Sequence, residues 1–376
     1  MRLALPLLLW LALGGCAMAP LAPRTGLFDD AAFAAPSEPI DVEAIFALSP
    51  EMHQFLDRYI RPSVMGNGPR EGLVDALQRD GKLKLEYDAE MTRNGAQAFA
   101  ARSGNCLSLV LMTAAFAKAL DLRLRYQDVL IEETWGRDGH TFFSIGHVNV
   151  TLVGYFGHDA GETIIDFLPP RDLRKQRTRL VSEQTIVAMY LNNRAVESLV
   201  RGRLDDAYWF AREAMVQEPS FMHAYNTLGA IYERRGMPAN AERVFEYVLA
   251  QEPRNVNVMS NLVATLNEQG RTAEADAWSA IMSTRDPDPP FSFFNRGLEA
   301  MKEGDYARAR DLFAREVDRA GYYHEFHYWL ARAYVGLGDH LQARKHLAIA
   351  MENSTRRRDY DIYAAKFAWI STHVPR

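Results

Sequence analysis

From Leu107 to Leu120 the chain is apolar almost without a break, interrupted only by Ser108, Thr113 and Lys118. A run of that kind with no polar face belongs to a helix buried on all sides at the centre of a domain. Arg102-Ser103-Gly104-Asn105-Cys106 leads into it and places Cys106 in the first turn, where free backbone N–H groups favour a thiolate. Beyond the helix, Leu122, Leu124 and Tyr126 alternate with Arg123, Arg125 and Gln127, the period of a half-buried strand. The parity switch at Val129 and Ile131 predicts a bulge or bend, and Trp135 to His140 reads as a loop. Ile145 to Val150 and Glu162 to Phe167 read as further strands. In the first of these, Val148, Val150 and Leu152 share one face, while Ile145, His147, Asn149 and Thr151 share the other. A turn centred near Phe156-Gly157 would set Asp166 opposite His147; other centres slide the pairing. Upstream, Ser49-Pro50 starts a helix whose stripe is Phe55, Leu56, Tyr59 and Ile60. A second helix is predicted over Leu73 to Arg79, and Thr92 is placed to cap a third.

The pattern changes after the basic run Arg171, Arg174, Lys175, Arg177 and Arg179, which reads as a solvated linker. Gly202, Gly236, Gly270, Gly304 and Gly338 are spaced by 34 residues each time, and Ala207, Ala241, Ala275, Ala309 and Ala343 keep the same step. Pro219, Pro253 and Pro287 repeat likewise, as does a small residue at Ala195, Gly229, Gly297 and Ala331, with Val263 the exception. The spacing resembles tetratricopeptide repeats, which are helix–turn–helix units. Five gapless units are expected over 188–357, with a final helix over 358–376 covering the open end of the stack. The fourth unit carries Glu316 where an apolar residue is expected.

Thr92 to Asp166, and above all Arg102-Ser103-Gly104-Asn105-Cys106-Leu107-Ser108, resembles the core of bacterial transglutaminase-like proteins, relatives of the papain-like thiol enzymes. The resemblance implies an α+β domain over 40–180 ahead of the all-α solenoid. It makes Cys106 the nucleophile, His147 the general base and Asp166 the residue that orients the imidazole. Many family members place an aromatic residue shortly after the histidine; here Val148, Asn149 and Val150 follow it. His140 and Asn149 stand as substitutes for the base and the orienting residue. The backbone N–H of Cys106 is a natural oxyanion donor, with Asn105 and Gln97 as candidates for a second. No cofactor is implied. His324 and His327 are three apart on a predicted helix but have no evident third ligand, so no metal is assigned.

Residues 1–15 have the pattern of an export signal, with Arg2 ahead of the apolar run Leu3 to Leu13, and Leu13-Gly14-Gly15-Cys16 resembles a bacterial lipobox. Cys16 would then be acylated as the mature N-terminus, on the periplasmic face of the cell envelope. Ala17 after it favours the outer membrane. Residues 16–39 are rich in Ala and Pro and read as an extended tether. The chain has two cysteines, so lipid on Cys16 leaves Cys106 unpaired in an oxidising compartment. Such a thiol is either buried and inert or kept for chemistry. A net charge of −5 gives no electrostatic case for nucleic acid.

The expected function is therefore that of a lipid-anchored thiol enzyme acting on peptide or carboxamide bonds, by hydrolysis or amine transfer. Its repeats would take a protein or peptide partner. The alternative is a non-catalytic assembly lipoprotein that uses both halves for binding. The anchor is tested by Cys16→Ser, which should release the protein from the membrane fraction or block its maturation; a wild-type protein found wholly soluble with its N-terminus elsewhere would remove the assignment.

Overall fold

The computed structural model describes residues 25–62, 68–79, 83–88, 91–138, 141–154, 161–167, 177–285, 291–321, 323–354 and 357–373. Cys16, His140 and the run Arg171 to Lys175 lie outside the described residues. Among those described, a helical and sheet-containing N-terminal half precedes ten helices arranged in pairs and a last single helix.

In the N-terminal half, α1 (Pro50–Phe55) is capped by Ser49, whose Oγ accepts from Met52 N at 3.2 Å. Next come α2 (Pro69–Val74), a two-residue strand β1 (Glu86–Tyr87) and α3 (Gly95–Ala101). α3 starts later than Thr92 would have it: Asn94 and Gln97 form a reciprocal capping box, and Thr92 is released for another role. β2 (Ser103–Gly104) then leads into α4 (Cys106–Ala119), buried continuously from Leu107 to Ala117. α4 packs on α2, α3 and the sheet. The aromatic rings of Phe55, Phe99 and Phe116 meet edge to face or tilted where α1, α3 and α4 converge.

Four antiparallel strands follow, in the order β5-β4-β3-β6: β3 (Arg123–Asp138), β4 (Thr141–Val153), β5 (Glu162–Ile165) and β6 (Arg177–Val181). The register of β3 against β4 shifts between Val129 and Thr134, where the parity switch predicted a bulge. Trp135 to Asp138, read as loop, instead continues β3 as far as an Asp138–Thr141 pair. The end of the basic run is also strand: Arg177 to Val181 pairs with β3, and Arg179 meets Asp128 at 2.9 Å. β5 pairs Val150 with Ile165 and Val153 with Glu162. Continued one step, that register sets Asp166 beside Asn149, two residues from the expected position opposite His147. Strand residues two apart share a face, so Asp166 still reaches His147 diagonally.

The repeat half consists of α5 (Glu183–Val200) with α6 (Leu204–Gln217), α7 (Met222–Arg234) with α8 (Pro238–Gln251), and α9 (Val256–Glu268) with α10 (Thr272–Arg285). Then come α11 (Ser292–Glu303) with α12 (Tyr306–Arg319), α13 (His324–Gly336) with α14 (His340–Glu352), and the single α15 (Arg357–His373). The five glycines of the 34-residue step all end a first helix at φ between +74° and +77°, a left-handed turn that side chains with a Cβ resist. The recurring small residue has its own reason. A Cβ on Gly229 would stand 2.3 Å from the Phe245 ring, and one on Gly297 would stand 2.6 Å from the Phe313 ring. Glu316, the misfit of the pattern, is buried and accepts from Phe293 N at 3.1 Å and Phe294 N at 3.2 Å. It caps the start of α11 from the neighbouring helix, where a negative charge also meets the helix dipole favourably.

The two halves share one hydrophobic core from Phe33 to Ala275, whereas residues 291–334 build a second. β4 packs on α4 and also on α7 and α9, the first helices of the second and third units. Residues 25–39, expected as part of an extended tether, are laid along the repeats. Phe33 stacks on Tyr208 at 4.0 Å, Asp29 N donates to Tyr208 Oη, and Tyr208 Oη in turn donates to Asp30. Ser37 binds the buried Asp206 through both N–H and hydroxyl, and Trp209, Tyr232 and Arg235 donate to the backbone carbonyls of Ala34, Leu27 and Ala32. Phe33→Ala removes the ring at the centre of this contact and should cost about 3 kcal/mol. The check is the first unfolding transition in urea; a change under about 1 kcal/mol would mean the segment rests on the repeats without stabilising them.

Candidate functional site

Cys106 opens α4 and is half-buried. The loop before it is fixed from three directions. Arg102 ends α3 in a left-handed conformation, φ 56°, which turns the chain back toward α4. Ser103 and Gly104 then pair in parallel with Glu86 and Tyr87, through Glu86 N to Arg102 O at 2.9 Å and Asp88 N to Gly104 O at 3.0 Å. A Cβ on Gly104 would lie 2.6 Å from the Ser108 Cβ, so only glycine lets the loop come this close to the helix. Asn105 caps α4 by accepting from Ser108 N at 2.9 Å, and its Nδ2 donates to Thr92 Oγ1 at 2.8 Å.

Thr92 ties this cap to the first repeat helix. Its N–H donates to Glu197 at 2.6 Å, Asn193 donates to its hydroxyl at 3.3 Å, and Arg194 approaches its carbonyl at 3.5 Å. Arg194 also pairs with Glu38 at 2.5 Å. Burial raises the Glu197 carboxyl above its ordinary range against the pull of its hydrogen bonds to Thr92.

His147 projects from β4 and is 5% exposed, and the Asp166 side chain just beyond β5 is 2% exposed. His147 Nε2 lies 2.9 Å from both Asp166 oxygens. Asn149 Nδ2 donates to Asp166 Oδ2 at 3.3 Å and steadies the carboxylate from its own strand. Nε2 is engaged by Asp166, which leaves Nδ1 as the other ring nitrogen. Burial opposes a charge on the imidazole. The hydrogen bonds to Asp166 and Cys106, with the negative charge of both, outweigh it and raise His147 to about 9. Of the three sequence candidates, His147 and Asp166 thus form a buried hydrogen-bonded pair, and Cys106 is near enough to help raise the imidazole's pKa.

The two further oxyanion candidates are not brought to the sulfur in the same way. Asn105 is engaged as the cap of α4, and Gln97 is exposed on the first turn of α3, its Oε1 accepting from Asn94 N. Tyr87 was missed by sequence reasoning. Tyr87 is 41% exposed, and its phenol is pushed well above its ordinary range by burial and by its charged neighbours Cys106, Asp166 and Asp88. Nothing in the local sequence marks it, because β1 comes alongside the Cys106 loop only by pairing with β2. In the repeats, His327 turns to His346, Nδ1 to Nδ1 at 2.9 Å, while His324 meets the Tyr363 hydroxyl. Among the described residues no group of three or more His, Cys, Asp or Glu is placed to hold a metal ion, and no helix is long and apolar enough to cross a membrane.

Comparison with known proteins adds to the repeat half. The tetratricopeptide repeat family matches residues 324–348. Among solved structures the chain is similar to pilF of Pseudomonas aeruginosa, at 20% identity and a TM-score of 0.32, over 50% of this chain and 86% of that one. It is similar to a thermophilic tetratricopeptide-repeat protein of Thermus thermophilus, at 19% identity and a TM-score of 0.33, over 48% and 99%. A third is YrrB, described as a tetratricopeptide-repeat protein with an unusual peptide-binding site, at 20% identity and a TM-score of 0.26, over 48% and 92%. No curated protein sequence matches the chain. The paired helices, the 34-residue step and the family match make the C-terminal half a tetratricopeptide-repeat solenoid.

The raised pKa of His147 has a signed consequence for stability. Its folded value, about 9, lies above the ordinary 6.5, so the stabilisation it contributes is complete below about pH 6.5 and is lost as the pH rises through 9. The imidazole NMR signals of the wild type should remain those of the cation up to about pH 9. In Asp166→Asn they should titrate at lower pH, and the stability gap between the two proteins should narrow above pH 9. A titration unchanged by Asp166→Asn would show that the carboxylate does not hold the proton.

Proposed function

We propose that the N-terminal half is a transglutaminase-like thiol enzyme and that the repeats hold it to a protein partner. One observation carries the reading: His147 Nε2 lies 2.9 Å from both oxygens of Asp166 in a buried pair on the strands beside the helix that Cys106 opens. This is the arrangement in which a base oriented by a carboxylate serves a nucleophile. The Cys106 sulfur attacks the carbonyl carbon of a peptide or carboxamide, and a C–S bond forms as the carbonyl π pair moves to oxygen. The tetrahedral intermediate collapses with cleavage of the C–N bond, and the imidazolium of His147 gives its proton to the departing nitrogen. Water or an amine, deprotonated by the neutral imidazole, then releases the acyl group from the thioester. The α+β layout, with the thiol at the start of a buried helix and the base on a neighbouring strand, supports the same reading.

The repeats take the role of scaffold. Because β4 covers α7 and α9, partner contact falls to the fourth and fifth units, which have a core of their own. In this proposal Cys16 carries lipid and the enzyme works on the periplasmic face of the envelope, the outer membrane favoured.

The test is a biotinylated iodoacetamide probe applied to the native full-length protein, with Cys106→Ala as control. Labelling should be confined to Cys106 when Cys16 is acylated. Turnover of a peptide amide should fall about 10²- to 10⁴-fold in His147→Ala. A thiol that labels only after denaturation, at a rate indifferent to His147→Ala, would make Cys106 a packing residue and leave the scaffold function alone.

A further inference from the structure

We propose that Glu197, in the first helix of the solenoid, and Thr92 are positioning residues for Cys106, acting through the Asn105 cap. The inference rests on the thiol-enzyme reading and deepens it. Residues outside the Cys106, His147 and Asp166 set hold the sulfur where the imidazole can serve it.

Two side chains bracket Cys106 in the first turn of α4, and Thr92 and its neighbour hold both. Asn105 Nδ2 donates to Thr92 Oγ1 at 2.8 Å, and Arg93 N donates to Ser108 Oγ at 2.8 Å. Asn105 and Ser108 close the bracket, since Ser108 N and Ser108 Oγ both donate to Asn105 Oδ1, at 2.9 Å and 2.8 Å. Thr92 is buried and is fixed in turn by α5. Its N–H donates to Glu197 at 2.6 Å, and Asn193 Nδ2 donates to its hydroxyl at 3.3 Å. The route from α5 to the start of α4 thus runs through Glu197, Thr92 and Asn105 without a gap.

The pattern of the repeats marks Glu197 as placed for this bond. One 34-residue step on, its slot holds the buried Ile231, and the slot of Arg194 holds the buried Leu228. A carboxylate out of water costs more than an aliphatic group unless its bonds are made. Glu197 reaches Thr92 with one oxygen and leaves the other buried without a hydrogen-bond partner. Packing alone does not account for a carboxylate here; the bond to Thr92 does.

The consequence lies in the geometry of attack. Cys106 rides on α4 and His147 on β4, so their separation depends on how the start of α4 is held. A reacting group misplaced by about 1 Å can lose about 10²-fold in rate. With its amide tied to Thr92, Asn105 keeps one orientation, and that orientation sets the first residue of the helix, Cys106. No proton passes along the route; it only holds.

Alkylation of Cys106 by iodoacetamide separates positioning from packing, followed on the full-length protein by mass spectrometry of the Cys106 peptide. Thr92→Val keeps the shape and the N–H of the residue and loses the hydroxyl, whereas Glu197→Leu loses the acceptor. Each should slow alkylation at neutral pH about five- to tenfold, the worth of one hydrogen bond. Each should also move the pH profile of alkylation upward, in the direction expected of His147→Ala. On the His147→Ala background neither should slow it further by more than about twofold, because residues acting through one contact are not additive. Thr92→Ser and Glu197→Gln restore an acceptor and should bring the rate within about twofold of wild type. Circular dichroism confirms each fold, and Thr92→Val decides should Glu197→Leu not fold. Wild-type alkylation in the folded variants, or the same factor lost with and without His147, would overturn the positioning role and leave the thiol-enzyme reading standing. A wild type in which Cys106 reacts only after denaturation, or at a rate indifferent to His147→Ala, would overturn both.

Discussion

The constraint on which the structure depends is the burial of α4 on every side. A helix with no polar face must be covered all round, because each exposed apolar side chain forgoes roughly 1.5 to 3 kcal/mol of burial. α1, α2, α3 and the sheet supply part of the cover, and α5, the first helix of the solenoid, adds to it. The solenoid is therefore joined to the N-terminal half through a common core, and its first three units have no separate hydrophobic interior. Only from Phe291 onward does the stack have apolar clusters of its own.

The same packing sets the position of Cys106. Asn105 holds the start of α4, Thr92 holds Asn105, and Glu197, Asn193 and Arg194 on the first repeat helix hold Thr92. Each link is a hydrogen bond in a partly or wholly buried setting, where an unmade bond costs more than a made one contributes. The Glu197 carboxyl meets Thr92 N through one oxygen, and its other oxygen is buried with no hydrogen-bond partner. A small shift of α5 against α4 is therefore expensive at this point.

Much of this was legible in the sequence where local chemistry admits one answer. The turn glycines at Gly202, Gly236 and their successors announce the repeats because only a residue without a Cβ accepts the left-handed turn easily. Gly104-Asn105-Cys106 announces a helix start because asparagine caps and the run behind it is apolar. The choice of Cys106, His147 and Asp166 came from family resemblance, and the strand alternation put His147 on a face that could meet the helix. The diagonal offset of Asp166 was not legible, since it depends on a turn whose centre the sequence leaves open. Nor was the strap at 25–39, whose Ala and Pro content reads as linker. What binds it is Phe33 against Tyr208 and Ser37 against Asp206, contacts about 170 residues apart in the chain. Thr92 was read as a cap for α3; Asn94, two residues on, takes that place by pairing with Gln97.

Tyr87 shows where local reasoning ends. A two-residue strand has no periodicity to detect, and nothing in Glu86-Tyr87-Asp88 marks its pairing partner. Its position follows only when β2 exists, and β2 exists because Arg102 turns left-handed and Gly104 permits contact with Ser108. The chain thus brings the Cys106 loop, His147 and β1 toward one helix end from three separate segments, each placed by a different device: a steric minimum at glycine, a strand register, and a parallel pair. The order of dependence runs from α4 outward, because the helix that must be buried also carries the sulfur at its open end. Whatever covers α4 also fixes the groups that face Cys106.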